Sequence, residues 1–156
     1  MRNRYPISVF INRFQWLYEF YTIVLKQSKK CTFEKLFSPH GLIRFNDPEI
    51  GRDKDTGGQV KYVLELLEAL SQHPQVRKID LFTRRILDKR VSISYEKEIE
   101  VVNEKARIVR MVCGGNAYRQ KEVLWDHLDE FVDKTIRFIE NQDDYPDIVH
   151  GHYADG

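Results

Sequence analysis

The chain has 156 residues, with 25 lysines and arginines against 24 aspartates and glutamates, for a formal net charge of +1. That balance excludes a general electrostatic grip on nucleic acid or anionic lipid, which needs a basic surplus or a clustered basic face. Hydrophobic residues at 42% and charged residues at 31% suit a globular domain rather than disorder; at roughly 150 residues per domain the length admits one domain, not two.

In chain order, Met1–Arg4 is basic, but the apolar stretch after it carries no small-residue cleavage site, which argues against a secretory signal. Ile7–Leu25 is rich in aromatic and β-branched residues, yet Arg13, Gln15 and Glu19 interrupt it. A membrane span needs about 20 predominantly apolar residues, so this segment reads as an interfacial or packed helix. Cys31 and Cys113 supply neither a disulfide framework nor a Cys-x-x-Cys site and fit a reducing, cytoplasmic compartment. Ser38–Gly58 concentrates Pro39, Gly41, Pro48, Gly51, Gly57 and Gly58 among small polar residues, the composition of a long exposed loop.

A helical period follows. Val60, Val63, Leu64, Leu67 and Leu70 form one apolar stripe, predicting a helix over Gln59–Ser71 that stops near His73-Pro74. Lys78–Thr83 and Ala106–Val112 read as strands, with an ambiguous charged stretch, Arg84–Lys105, between them. Lys121–Asn141 returns to helical period with Leu124, Leu128, Phe131, Val132 and Ile139 on one face and Trp125 in the core. Asp147–His150, after Tyr145-Pro146, reads as a short buried strand. Strand alternating with helix predicts parallel βαβ units in an α/β sheet.

Two constellations carry possible chemistry. Thr56-Gly57-Gly58-Gln59 opens a helix, where glycines permit close approach and unpaired N–H groups favour an anion. Gln59 adds an amide for a sugar hydroxyl or phosphate. The plainer alternative is a cap by Asp55 or Thr56. The second is His150-Gly151-His152-Tyr153-Ala154-Asp155-Gly156, at the carboxyl end of a predicted strand, where ligands of open α/β sheets bind. His150 and His152, two apart, would point to one side. With Asp155 they suggest a metal site, hydrogen bonding to a polar substrate, or a plain surface pair; no further ligand cluster supports a metal. Arg44, Arg52, Arg84, Arg85, Arg119 and Lys121 lie in or beside loops, where an Arg fork could meet a phosphate, but spread as they are they read mostly as solvated face residues.

The segments Ser38-Pro39-His40-Gly41-Leu42-Ile43-Arg44 and Gly51-Arg52-Asp53-Lys54-Asp55-Thr56-Gly57-Gly58-Gln59-Val60-Lys61-Tyr62-Val63 closely resemble the sucrose-phosphate synthase family. Asp80–Arg84, Lys121–Trp125 and His150–Asp155 agree with it in order and spacing, so the resemblance covers about Leu36–Gly156. Sucrose synthase shares the Asp-Thr-Gly-Gly-Gln-Val core but not the loop pattern. The resemblance implies a retaining GT-B glycosyltransferase with two Rossmann-like lobes. It would move glucose from UDP-glucose to fructose 6-phosphate and needs no cofactor and no strictly required metal. Gly57, Gly58 and Gln59 would lie at the sugar and diphosphate end of the cleft and bind substrate, and His152, with Asp155 nearby, would be the catalytic pair in contact with the transferring glucose or the acceptor. Arg84 matches a family position without an assignable role.

The chain departs from the family in several places. Ala117 stands where relatives commonly carry a phosphate-binding Lys, leaving Arg119 or Lys121 to substitute. Met1–Lys35 resembles nothing in the family and is set apart as an N-terminal extension, with residues 36–156 forming the incomplete acceptor-side lobe. Glu34 and Lys35 spoil the apolar run that a buried parallel strand requires. The length supplies only part of one lobe. The expectation is therefore an N-terminal piece of a longer enzyme, inactive alone, with the donor-binding lobe supplied in cis or in trans.

Overall fold

The computed structural model describes residues 32–142 and 145–152. The elements are β1 (Thr32–Phe37), α1 (Gly58–Gln72), β2 (Val76–Arg84), β3 (Ile99–Val101), β4 (Ala106–Met111), the single turn α2 (Lys121–Leu124), α3 (Leu128–Glu140) and β5 (Ile148–Gly151). They build one five-stranded sheet in the order β3-β4-β2-β1-β5. Among the described residues only the β3–β4 pairing is antiparallel. The parallel α/β prediction is correct, and the sheet grows outward from β1 in both directions. A strand order that reverses at β1 opens a crevice between the carboxyl ends of β1 and β5.

Side-chain alternation along the strands divides the core in two. On one face, Leu36, Ile79, Leu81, Ala106 and Ile108 pack against Val60, Val63, Leu64, Leu67 and Leu70 of α1. This is the apolar stripe the period predicts. On the other face, Phe82, Val109, Met111 and Cys113 meet Phe131 of α3, with Phe37, Phe138 and Ile139 packed around them. Leu42, Ile86 and Tyr95 make a smaller cluster.

Several expectations need correction. The strand expected to be spoiled by Glu34 and Lys35 forms: β1 is an interior strand, between β2 and β5, and begins at Thr32, inside the segment set apart as an extension, and both charged side chains are fully buried. In the parallel register Lys35 lies opposite Asp80, and Asp80 opposite Arg107. Lys35 Nζ donates to Asp80 Oδ2, and Arg107 grips the same carboxylate at 2.6 and 3.0 Å. A rung of charges across three strands thus replaces the apolar contacts a parallel sheet usually offers. Burial pushes the Lys35 ammonium below its usual range, against the pull of Asp80.

The helix expected over Lys121–Asn141 is interrupted by a 3₁₀ turn at Trp125–His127, whose last residue leaves helical geometry at φ −120° and ψ 7°. Trp125, expected in the core, is 51% exposed, and Val132 is 49% exposed because Phe131 and Thr135 take the inward face of α3. Strand β5 is a sheet edge rather than a buried strand, and Val149 is 64% exposed. The first part of the Ser38–Gly58 loop is not exposed either: Ser38, His40, Leu42 and Ile43 are buried. The ambiguous stretch holds a 3₁₀ turn at Ile93–Glu96 and the edge strand β3. Ile7–Leu25, Cys31 and Asp155 lie outside the described residues. Among the described residues no helix is long and apolar enough to cross a membrane.

Candidate functional site at the sheet reversal

The crevice is built from the segment after β1, the first turns of α1 and the end of β5. The backbone of β5 continues along β1 beyond its last strand residue: His152 N–H donates to the Phe37 carbonyl at 2.9 Å. Ser38, the next residue of β1's chain, is buried, and its Oγ accepts from Gln59 Nε2 at 3.0 Å. Tyr62, one turn along α1 from Gln59, meets the His152 ring edge-on with centroids 5.4 Å apart. Gln59, Ser38, Tyr62 and His152 are therefore gathered at one place. The expectation that His150 and His152 share a side is met, with their rings stacked at 4.2 Å.

The start of α1 is not capped by a side chain. Gly57 occupies the cap position without a side-chain hydrogen bond, and the first turn holds no acidic residue. Asp55 and Thr56, the alternative caps, are otherwise engaged. Asp55 Oδ2 accepts the Lys121 N–H at 2.9 Å, and Thr56 Oγ1 accepts the Asp53 N–H at 2.8 Å. The dipole of a fifteen-residue helix thus ends without a negative side chain of its own. A Cβ added at Gly57 or Gly58 would meet nothing within 4 Å. Their lack of a side chain is not required by packing. At Gly41 the opposite holds: its φ is +89°, and a Cβ would come within 2.9 Å of the Asp55 carbonyl and of Val60. Gly41 thereby lets the loop after β1 press against the entry to α1.

His152 is 3% exposed, and its Nε2 has no hydrogen-bond partner among the described residues. Burial, with a smaller contribution from neighbouring His150, holds its pKa down to about 3. At neutral pH it is an uncharged imidazole, suited to exchange a hydrogen bond with a hydroxyl rather than to neutralise a phosphate. Burial lowers His150 as well. Among the described residues no group of three or more His, Cys, Asp or Glu could hold a metal ion.

Lys121 is brought to this region through its backbone, by the bond to Asp55. A second tie is the ion pair of Lys54 with Glu122 at 3.0 Å. The turn from Cys113 to Gln120 is thereby joined to the loop entering α1. Arg84 lies beneath that turn, 2% exposed, donating from Nε to the Cys113 carbonyl and from Nη2 to those of Gly115 and Ala117. The Ala117 position is thus used through its carbonyl. Beside it, Arg119 has a buried Nε without a hydrogen-bond partner among the described residues.

Sequence reasoning missed Ser38 and Tyr62 as parts of this cluster. Tyr62 had a usable signal, lying three residues from Gln59 on the same helix face. Ser38 had a weaker one, its place directly after β1.

No protein-family model matches the chain. It is 37% identical to sucrose-phosphate synthase of Zea mays over 176 aligned positions, which take in 96% of this chain and 16% of that protein. With sucrose-phosphate synthase 4 of Arabidopsis thaliana it is 37% identical over 150 positions, covering 83% of this chain and 14% of that one. The solved structure of a sucrose-phosphate synthase from Thermosynechococcus elongatus superimposes with a TM-score of 0.60 at 26% identity, covering 78% of this chain and 27% of that one. The maize alignment takes in more of the chain than residues 36–156 supply, so similarity extends into Met1–Lys35, which was expected to resemble nothing in the family. In sequence and in fold, the chain is a sucrose-phosphate synthase homologue that spans about one-sixth of the length of its maize relative.

Proposed function

We propose that this chain forms the acceptor-side part of a GT-B glycosyltransferase that moves glucose from UDP-glucose to fructose 6-phosphate, giving sucrose 6-phosphate and UDP. In the transfer, the bond from the glucose anomeric carbon to the diphosphate breaks and one to a fructose hydroxyl forms, with the hydroxyl proton released. The carrying observation is the open, uncapped start of α1 at Gly57 and Gly58, which faces no packing demand. Its backbone N–H groups and helix dipole suit phosphate or diphosphate oxygens. His152, neutral and with an Nε2 that has no hydrogen-bond partner among the described residues, is assigned to a sugar hydroxyl, and Asp155 is assigned a catalytic role with it by family resemblance. Gln59 holds Ser38 and would be released to, or shared with, the sugar. Lys121 and Arg119 are assigned to the acceptor phosphate in place of the lysine that Ala117 lacks.

Turnover on this reading needs a donor-binding lobe, in cis or in trans, and takes place in the cytoplasm. Calorimetric titration of the chain with fructose 6-phosphate tests it. Saturable binding by the parent chain, lost in Gly58→Val while the melting temperature is kept, is the expected result. Equal binding by both proteins would remove the glycine site from the reading. Binding without turnover after mixing with a donor lobe would favour a sugar-phosphate binding module instead.

A further inference from the structure

We propose that Arg84 is a positioning residue that sets the shape of the turn from Cys113 to Gln120, and so of the acceptor side of the crevice. The inference rests on the functional reading above for its ligand, but not for its geometry. Arg84 is the last residue of β2, and its guanidinium runs under the turn instead of out to solvent. Its contacts fall on alternate residues: the Cys113 carbonyl at 2.8 Å, Gly115 at 2.8 Å and Ala117 at 2.5 Å. Carbonyls face inward together because Gly114 and Gly115 adopt φ of +61° and +77°, which reverses the chain. A planar fork with several donors at fixed angles fits three converging carbonyls, and a lysine's single ammonium does not.

The same turn is held from other sides. The Leu87 N–H donates to the Asn116 carbonyl at 2.9 Å, and the Tyr118 N–H to Asp88 Oδ2 at 2.9 Å. The Gly114 N–H donates to Glu130 Oε2, and the Lys121 N–H to Asp55 Oδ2, both at 2.9 Å. These anchors sit at the ends and flanks of the turn. Among the described residues Arg84 alone joins three of its carbonyls from within, and those bonds come from a cation, about twice as strong as neutral ones. Removing it leaves three inward carbonyls without a donor and frees Tyr118, Arg119 and Gln120 to move.

The test uses the 156-residue chain and its Arg84→Gln and Arg84→Lys variants, read by residue-resolved amide hydrogen exchange and by fructose 6-phosphate titration. Exchange at the Tyr118 and Lys121 amides should accelerate about tenfold or more in Arg84→Gln while amides within β1 and β2 keep their protection. Arg84→Lys should restore protection only in part. Unchanged exchange in the turn, or acceleration shared equally with the strands, would overturn the assignment. If the parent chain binds fructose 6-phosphate, affinity should fall in Arg84→Gln without an equal loss of melting temperature; unchanged affinity would overturn the link to the crevice. If the parent chain does not bind it, the functional reading falls while exchange still decides the geometry. Should Arg84→Gln not fold, Arg84→Lys is read against the same exchange and affinity criteria.

Discussion

Replacing Glu34 by glutamine removes a carboxyl buried in the interior strand β1. Glu34 is fully buried; Thr32 Oγ1 donates to its Oε1 at 3.3 Å, while Oε2 has no hydrogen-bond partner among the described residues. Desolvation pushes its pKa from 4.5 up to about 7, the Thr32 hydroxyl opposes this, and nearby Asp147 adds to it. The folded chain therefore holds this proton at pH values where the unfolded chain has released it. Stability from this group is complete below about pH 4.5 and is lost as pH rises to about 7. At 1.36 kcal/mol per tenfold change in proton affinity, the whole interval corresponds to about 3 kcal/mol. Glutamine keeps the shape and carries no proton to lose. Urea denaturation followed by circular dichroism at pH 5 and pH 8 should show Glu34→Gln gaining about 2–3 kcal/mol on the parent chain between the two conditions. His152 shifts stability the other way, losing it as pH falls from 6.5 toward about 3, but it is present in both proteins and cancels in the difference. A gap between the two proteins that stays constant with pH would refute the reasoning.

Four further outcomes follow from the packing. Gly41→Ala should cost about 2–4 kcal/mol by thermal denaturation, since it adds left-handed strain and a backbone collision at once. Asp80→Asn should cost about 3–5 kcal/mol because it leaves the buried Lys35 charge without its partner. Lys35→Met should cost about 1 kcal/mol or less, since Asp80 keeps both bonds to Arg107; equal losses in the two variants would contradict this asymmetry. Leu67→Ala, in the centre of the α1 stripe, should lose about 2–5 kcal/mol in the same measurement.

Helix α1 was legible because its burial follows one simple period, and every residue of the predicted stripe is in the core. Strands β2 and β4 were legible because each carries a short apolar cluster, Ile79, Leu81 and Phe82 in one and Ile108, Val109 and Met111 in the other. Strand β1 was not, because what permits Glu34 and Lys35 there is the register that sets Asp80 opposite Lys35, a relation between residues 45 apart. Trp125 and Val132 misled for the opposite reason: helical spacing says which residues share a stripe, not whether the helix breaks between them. In the candidate site, the glycine run and the histidine pair stood out as local motifs. The partners of Gln59 and Arg84 did not, since Ser38 and the carbonyls of Cys113, Gly115 and Ala117 reach them only through tertiary folding.

The rung of Lys35, Asp80 and Arg107 also specifies the alignment of the strands. A parallel sheet of apolar strands offers many nearly equivalent alignments, and sliding one strand by a single residue exchanges its two faces. Here such a slip between β1 and β2 would bring Glu34 opposite Asp80, two carboxylates in an apolar interior; a slip the other way would leave Asp80 facing Leu36. Each misaligned pairing carries an uncompensated charge that the correct one neutralises. The rung thus acts as an index mark, setting wrong alignments of β1 at an energetic disadvantage and fixing the strand on which the crevice between β1 and β5 is built.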